Sequence, residues 1–176
     1  MKTTEDHIRS NLVQLYPRLK RFAVSLTGSL DSAEDLVQHA CERALDRSEQ
    51  WISGTRLDSW LYCIMHRAWI DEQRSAFRRT RAPLDEASDV ECEEGAVAAE
   101  NLLMLDAVYR ALLQLPEEQR SVLTLVCIDG LSYKETAQIL GICVGTVMSR
   151  VSRGRLALAK RIEVPSPRSD NIVKLW

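Results

Sequence analysis

The stretch "SYKETAQILGICVGTVMSRVSRGRLALAKRI" (132–162) carries the signals of two helices that meet at a tight corner. Ser132 can cap the first helix, and Gly141 lies where that helix must end in the left-handed backbone that glycine adopts at least cost. Ala137 is small where the two helices must cross closely. The inward-facing apolar stripe consists of Leu140, Ile142, Val147 and Val151. This spacing predicts a helix-turn-helix, in which the second helix enters the major groove of DNA.

The outward face of that second helix presents hydroxyls and cations rather than acids: Thr146, Ser149, Arg150, Ser152 and Arg153. Arginine can read guanine with two hydrogen bonds, and serine or threonine can hold a phosphate. The alternative is an ordinary helical hairpin with a solvated basic face. A phosphate-binding loop is excluded, because the sequence has neither GxxxxGK[ST] nor GxGxxG spacing. Cys143, in the corner, is expected to have no chemical role.

The whole chain has the composition of a globular protein, with 176 residues of which 45% are apolar and 27% charged. Glycine and proline are scarce, and apolar residues recur at three- and four-residue spacing, so we expect an all-α fold. No apolar run approaches the roughly 20 residues of a membrane span. The N-terminus lacks the apolar core of a secretory signal. These features predict a cytoplasmic protein without membrane insertion.

Five cysteines (41, 63, 92, 127 and 143) are scattered along the chain, with no CxxC pair and no zinc-finger spacing to histidine. Four of them lie in apolar-periodic segments, where a free cysteine usually behaves as a small hydrophobe. We therefore expect buried, reduced thiols, no metal ion and no other cofactor.

Periodicity, capping residues and helix breakers divide the chain into helices. Pro17 is expected to kink the first helix or to divide it in two, and Asp31 or Ser32 is expected to cap the second. "SGTR" (53–56) is predicted to be a turn. The predicted helices are about 7–26, a second from 31 or 32, about 57–79, a segment from about 98, then 116–128, 132–140 and 144–162.

The charge is unevenly distributed, although the net charge of the chain is only −2. Residues 1–82 carry 13 Lys/Arg against 11 Asp/Glu, and residues 102–176 carry ten against seven. Residues 83–101 hold seven acids and no base, and their apolar periodicity is broken. We therefore predict two small helical domains (1–82 and 102–163), a flexible acidic linker (83–101) and a C-terminal tail (164–176).

The third predicted helix and its end interleave aromatic residues with arginines: Trp60, Tyr62, Trp69 and Phe77 with Arg67, Arg74, Arg78, Arg79 and Arg81. Exposed rings beside cations suit single-stranded nucleic acid, because bases stack on the rings while the cations follow the backbone. Trp60 is expected in the core. Trp69 is open between a surface platform and a core residue.

Three segments together resemble the extracytoplasmic-function (ECF) sigma factors of bacterial RNA polymerase. They are "SAEDLVQHACERAL" (32–45), "SWLYCIMHRAWIDEQRS" (59–75) and "LPEEQRSVLTLVCIDGLSYKETAQILGICVGTVMSRVSRGRLAL" (115–158). The resemblance implies an initiation factor with sigma regions 2 and 4, which binds core RNA polymerase and promoter DNA. It also implies that an anti-sigma factor sequesters the protein.

The resemblance assigns roles to individual residues. The clamp of the largest polymerase subunit would meet Asp35, Gln38, Glu42 and Arg43. The promoter −10 element would meet Ser53, Thr55 and Arg56, in the base-receiving loop 50–57, and also Arg67, Trp69, Asp71, Arg74 and Arg78. The −35 element would meet Thr146, Ser149, Arg150, Ser152 and Arg153, while the same domain sits on the flap of the second-largest subunit. The acidic linker would run through the polymerase's active-site and RNA-exit region.

The chain departs from the family pattern at three places. His39, Ala40 and Cys41 replace an acid–Thr–Phe sequence, Arg67 stands where asparagine is frequent, and Met148 replaces a frequent Lys or Arg.

Two other classes of function were weighed. A dimeric helix-turn-helix regulator that binds a palindromic operator alone has no evident use for the aromatic and arginine-rich segment 57–81. An enzyme would need converging catalytic groups, but His7, His39 and His66 lie in three separate segments without evident partners. We therefore expect no catalytic residue.

Overall fold

The computed structural model describes residues 4–79 (the first half) and 107–162 (the second half), and every regular element within them is helical. The first half consists of α1 (Thr4–Thr27), α2 (Leu30–Asp46), a short 3-10 turn (Ser48–Gln50) and α3 (Leu57–Arg79). The second half consists of α4 (107–113), α5 (Glu117–Leu123), a π turn (Thr124–Ile128), α6 (Tyr133–Leu140) and α7 (Val144–Arg161). The all-α prediction is confirmed. The predicted linker (83–101) and tail (164–176) lie outside the described residues.

Helix α1 runs without a break through Pro17. The sequence predicted that Pro17 either kinks this helix or divides it in two. The division is wrong, because residues 4 to 27 form one helix. Pro17 is exposed, and the helix continues through it with the loss of one backbone hydrogen bond. The apolar stripe of this helix is buried as expected, with Ile8, Leu19, Phe22 and Leu26 at its centre.

Helix α2 begins earlier than the sequence suggested, because a glycine turns the chain sharply at the end of α1. Gly28 has a φ of 74° and donates its N–H to the Val24 carbonyl at 2.9 Å. This left-handed C-cap brings Ser29 into the N-cap position with an extended backbone. The predicted caps Asp31 and Ser32 therefore lie in the first turn of the helix.

The core of the first half forms between α1, α2 and α3. Phe22 and Tyr62 meet edge to face, with ring centroids 5.0 Å apart, and Leu61 and Met65 are fully buried beside them. Trp51, after α2, stacks on the His7 ring at 5.1 Å and closes the end of this bundle. Trp60 is partly buried against the core, as expected.

The second half packs α5 and α6 against α7. Val147 and Val151 of α7 are buried, and Gly154 lets α7 approach α5 so closely that a Cβ there would lie 2.9 Å from a Leu123 methyl carbon. After α5 the helix widens into the π turn, which ends where the Asp129 N–H bonds to the Thr124 carbonyl at 2.9 Å. A single widened turn of this kind shifts the direction of the residues that follow it.

The two halves pack against each other, α5 against α1 and α6 against α3, so that their buried apolar residues form one continuous cluster. The sequence predicted two helical units but contained no sign of this arrangement.

Candidate nucleic-acid interface

The helix-turn-helix corner forms as the sequence predicted. Ser132 and Glu135 make a reciprocal capping box, in which the Ser132 hydroxyl accepts from the Glu135 N–H at 3.2 Å and Glu135 Oε2 accepts from the Ser132 N–H at 2.8 Å. Gly141 ends α6 with a φ of 65°. Cys143 is the N-cap of α7, with extended backbone. These local contacts fix the angle at which α7 leaves the body of the protein.

The face of α7 predicted to meet −35 DNA is mostly exposed. Ser149, Ser152 and Arg153 are open to solvent, and the Arg153 Nε donates to the Ser149 carbonyl at 3.3 Å. Thr146 is half-buried, and its hydroxyl lies 2.9 Å from Cys143 Sγ. Hydroxyls and a cation are therefore presented along one side of the helix.

Arg150 differs from the other residues predicted on this face. Its side chain is only 19% exposed, and its Nη2 lies 2.9 Å from Glu118 Oε2 of α5. In this structure the guanidinium braces α7 against α5 rather than pointing outward. The sequence predicted the same DNA-contacting role for Arg150 and Arg153, but helix packing gives the two side chains different surroundings.

The expectation that the cysteines are buried holds only in part. Cys41 and Cys63 are half-buried, and burial raises the pKa of both thiols. Cys127 and Cys143 are exposed, because they lie at the ends of elements rather than within an apolar stripe. The hydrogen bond from the Thr146 hydroxyl, together with backbone N–H groups at the start of α7, lowers the pKa of Cys143. Cys92 lies outside the described residues.

Helix α3 carries four predicted −10 residues on its exposed surface: Arg67, Asp71, Arg74 and Arg78. The Asp71 carboxylate lies 3.9 Å from Arg43 of α2, so its negative charge offsets part of the positive charge of Arg43. Phe77 is 81% exposed between the last two arginines, where a base could stack on its ring. The aromatic–arginine pattern of the sequence pointed to Phe77, but the resemblance did not assign it a role.

Trp69 is buried, with 9% of its surface exposed, so in this arrangement it is not a surface platform. Its indole N–H donates to Glu117 Oε1 at 3.1 Å. Glu117 belongs to the second half, and a contact across 48 positions could not be seen in the local pattern. The second half therefore covers Trp69, whose exposure the sequence did not decide.

Loop 50–57, predicted to receive a −10 base, forms an ordered turn. Thr55 donates from its N–H and its hydroxyl to the Ile52 carbonyl, at 3.1 and 2.7 Å. Ser53 and Thr55 are exposed on this turn, while Trp51 is buried beneath it. The loop is therefore shaped before any ligand arrives.

Arg56, the last polar residue of this loop, is held by carboxylates from both halves. Its guanidinium makes two hydrogen bonds to Asp58, at 3.1 and 2.7 Å, and its Nη1 donates to Glu135 Oε1 at 2.8 Å. Burial raises the pKa of Asp58, but the hydrogen bonds from Arg56 and from the Ser59 N–H outweigh it, so that the pKa lies below its ordinary value. The pKa of Arg56 is raised by its bond to Asp58.

The predicted clamp-facing residues lie on the outer face of α2. Asp35, Gln38 and Glu42 are exposed, with Gln38 Nε2 donating to Glu42 Oε1 at 3.0 Å. Arg43 is half-buried and points toward Asp71. The predicted polymerase-facing residues and the predicted −10 residues are thus adjacent.

Two residues that the sequence analysis gave no role join the halves. The Asp129 side chain has no exposed surface, and it accepts hydrogen bonds from the Tyr62 hydroxyl at 2.7 Å and from Arg21 at 3.0 Å. Arg120 is also buried and donates to the Ser25 and Leu26 carbonyls at the end of α1, at 2.6 and 3.2 Å. Both lie within the segment 115–158 that carries the family resemblance, at Arg120 in the predicted helix 116–128 and at Asp129 directly after it.

Among residues 4–79 and 107–162, no group of three or more His, Cys, Asp or Glu side chains is placed to hold a metal ion. Within the same ranges, no helix is both long enough and apolar enough to cross a membrane.

Comparison with known proteins matches both halves to one family. The model described as Sigma-70 region 2 matches residues 12–79, and the model described as Sigma-70, region 4 matches residues 105–158. The chain is 34% identical over 164 residues to the ECF RNA polymerase sigma factor EcfG of Rhodopseudomonas palustris, covering 90% of this chain and 87% of that relative. It is 31% identical to the ECF RNA polymerase sigma factor SigW of Bacillus subtilis, covering 92% of each.

A solved structure is similar along nearly the whole chain. It is the sigma factor RpoE in complex with the anti-sigma factor NepR from Bartonella quintana, with a TM-score of 0.72 at 28% identity, covering 90% of this chain and 98% of that one.

Proposed function

Because the chain belongs to the ECF RNA polymerase sigma factors, we propose that it binds core RNA polymerase and starts transcription at promoters whose −35 and −10 elements it recognises. The observation that carries this proposal is the presence of two separate candidate DNA surfaces, one on α7 and one on α3 with loop 50–57. A protein that only binds duplex operators needs the first and not the second. The protein acts on DNA in the cytoplasm, as an initiation factor and not as an enzyme.

Residues of α7 contact the −35 element in this proposal. Ser149, Ser152 and Arg153 are exposed on one side of the helix, where they can reach base edges and phosphates. Thr146 contacts DNA near the start of the helix. Arg150 contributes by holding α7 in place through Glu118, and it reaches DNA only when that ion pair opens.

Residues of α3 and its preceding loop contact the −10 element. Arg67, Arg74 and Arg78 follow the backbone of the separated strand, and Asp71 positions Arg43 beside them. Ser53, Thr55 and Arg56 receive an unstacked base, whose removal from the duplex costs a few kcal/mol. The ordered turn at Ile52–Thr55 supports this role, because a loop that is already ordered costs little conformational entropy on binding.

The polymerase holds the two DNA-reading domains, 1–82 and 102–163, at the promoter. Asp35, Gln38, Glu42 and Arg43 of α2 bind the clamp of the largest subunit, and the second domain binds the flap of the second-largest subunit. The charge distribution favours a protein that depends on the polymerase for tight binding to DNA. Residues 102–176 have only three more basic than acidic residues, which is little for a domain that binds DNA tightly alone.

An anti-sigma factor regulates the protein in this proposal. The support is the similar sigma factor RpoE of Bartonella quintana, whose structure was solved in complex with the anti-sigma factor NepR. Co-purification of a partner from cells that encode the chain tests this part, and a lasting failure to recover one contradicts it.

Reconstituted transcription tests the main proposal. Core RNA polymerase is incubated with genomic DNA fragments, with and without the purified chain, and the 5′ ends of the transcripts are mapped. We expect new start sites that share two upstream motifs at a constant spacing. If the chain adds no start sites but shifts duplex DNA by itself, the initiation-factor proposal is wrong and a dimeric regulator is favoured.

A further inference from the structure

We propose that Met148 contacts the methyl group of a thymine in the −35 element, and that it thereby selects a T·A base pair at one position of that element. The inference rests on the proposed function in one respect, since it takes α7 as the helix that enters the major groove. Met148 is 53% exposed, and Val144, four positions earlier, is exposed as well. Side chains four positions apart lie one above the other on a helix, so these two form one small apolar strip.

The apolar strip adjoins the serines that are proposed to contact the −35 element. Ser149 follows Met148 directly, and Ser152 lies four positions after it, on the next turn of α7. Both serines are exposed, and the Ser149 hydroxyl donates to the Thr146 carbonyl at 3.0 Å. A base pair that meets these serines therefore also comes next to the Met148 side chain.

The first turn of α7 leaves room for a base beside Met148. Gly145 lies three positions before Met148 and four before Ser149, so it shares their side of the helix. A Cβ on Gly145 would meet nothing within 4 Å, which means that the space above this turn is open. Glycine permits a ligand to approach the backbone closely. A base edge can therefore come level with the Met148 thioether.

The charge of α7 favours DNA as the partner of the apolar strip. Helix Val144–Arg161 carries five Arg or Lys and no Asp or Glu. Arg153 and Arg155 are exposed beyond Met148, where they can meet phosphates. A strip of two side chains is also too small for a stable protein interface, which buries about 800 Å² per partner. Duplex DNA fits both features, because it offers phosphates to the cations and a base edge to the strip.

Thymine is the base whose chemistry suits methionine. Its C5 methyl is the apolar group that base edges present in the major groove. Cytosine offers an amino donor, which a thioether accepts only weakly, and guanine offers two acceptors, to which methionine has nothing to donate. The Met148 side chain is unbranched and polarizable, so it can settle against a methyl group without strain. A Lys or Arg at this position would favour guanine instead.

The test uses the full chain and three variants of exposed α7 residues. Met148→Ala removes the thioether, and Met148→Arg replaces it with a donor for guanine. Leu156→Ala is the matched control, because Leu156 is an exposed apolar residue of the same helix that lies two turns later, beyond the N-terminal residues that meet base edges. Circular dichroism establishes that each variant keeps its helical content.

The first measurement identifies the base pair that faces Met148. Each protein selects duplexes from a library with a randomised segment, once alone at low ionic strength and once bound to core RNA polymerase, with core polymerase alone as background. We expect the wild-type chain to enrich a motif with a strongly preferred thymine on one of the strands. Met148→Ala should lose the preference at that base pair, Met148→Arg should change it to guanine, and Leu156→Ala should keep it.

The second measurement isolates the methyl group. Each thymine of the selected duplex is replaced in turn by deoxyuridine, which keeps the hydrogen-bonding groups and lacks the methyl, and binding is followed by fluorescence anisotropy. At the thymine that faces Met148, the wild-type affinity should fall about fourfold, the effect of one methyl group returned to water. The same replacement should leave the affinity of Met148→Ala unchanged and should weaken Leu156→Ala as it weakens the wild type.

The outcomes separate this inference from the proposed function. A wild-type chain that is insensitive to every deoxyuridine overturns the inference. It is also overturned if Met148→Ala keeps the wild-type sensitivity, if Met148→Arg keeps the thymine preference, or if Leu156→Ala loses the sensitivity.

Reconstituted transcription decides the initiation role separately. If new start sites appear but no thymine methyl matters, the initiation role stands and the inference is wrong. If no start sites appear while the chain alone selects a thymine that depends on Met148, the methyl contact stands and the initiation role does not. A selection that enriches no motif, with or without polymerase, contradicts both.

Discussion

At the scale of single residues, Arg150 and Arg153 have opposite surroundings although they lie three positions apart on α7. Arg150 is paired with Glu118 and mostly covered, whereas Arg153 is exposed and, among residues 4–79 and 107–162, bonded only to the Ser149 carbonyl of its own helix. An exposed arginine that is bonded to a carbonyl of its own helix gives up little when it turns to a guanine edge. Arg153 is therefore the better candidate for direct base reading.

Replacement of Arg153 by alanine should weaken selection of the −35 element without weakening polymerase binding. Loss of a two-bonded arginine–guanine contact costs about 1–3 kcal/mol, or roughly tenfold in discrimination between the correct element and a mutated one. Transcription from matched templates measures the discrimination, and a pull-down measures polymerase binding. Lys160→Ala is the control, because it removes one exposed positive charge from the end of the same helix. An equal loss in both assays would contradict the assignment.

At the scale of elements, two glycines of α7 have different physical reasons to be present. Gly154 lies under α5, where a Cβ would approach Leu123 to 2.9 Å, while a Cβ on Gly145 would meet nothing within 4 Å. The first glycine is required by helix packing. The second lies in the opening turn of α7, next to Thr146, where no packing contact requires it.

Alanine at position 154 should therefore destabilise the protein, and alanine at position 145 should not. Forcing a methyl group into the α5–α7 contact costs about 1–3 kcal/mol, whereas Gly→Ala at an open helical position stabilises by roughly 0.5–1 kcal/mol. Urea unfolding followed by circular dichroism gives the free energy of unfolding for both variants. Similar values for the two would show that α7 does not depend on this close approach.

At the scale of the whole molecule, carboxylates of one half meet cations of the other, so the packing between the two halves should respond to pH. The hydrogen bonds from the Ser132 hydroxyl and N–H lower the pKa of Glu135, and Arg56 lowers it further. The pKa of Asp58 is also below its ordinary value. A carboxyl group with a lowered pKa stabilises the folded form fully above its ordinary pKa, and that contribution is lost as the pH falls through the folded value.

The radius of gyration of the wild-type chain should therefore stay constant between about pH 8 and pH 5, and should rise only below the ordinary carboxyl range near 4.5. Scattering across this range, with circular dichroism alongside to follow helicity, measures the effect. The Glu135→Gln variant should lose part of this pH dependence, since it has no carboxylate to protonate there. If the radius of gyration already rises between about pH 7 and pH 6, a histidine rather than a carboxyl group governs the expansion, and this prediction is contradicted.

What the sequence by itself determined are the features set by neighbours along the chain. The corner at Gly141, the capping box of Ser132 and Glu135, and the bounds of α3 follow from apolar period, capping chemistry and backbone preference. Each of these signals acts over a few residues, so it survives whatever the rest of the molecule does. The exposed hydroxyls of α7 follow from the same periodicity.

Only the tertiary structure decided which side chains are available. Trp69 is buried, and Asp129 is bound to partners 67 to 111 positions away. Local pattern cannot reveal such contacts, because a charged residue at a helix end looks the same whether water or a guanidinium meets it. The candidate −10 residues could therefore be predicted as a set, whereas the burial of Trp69 and the pairing of Arg56 with Glu135 depend on how two separate groups of helices dock.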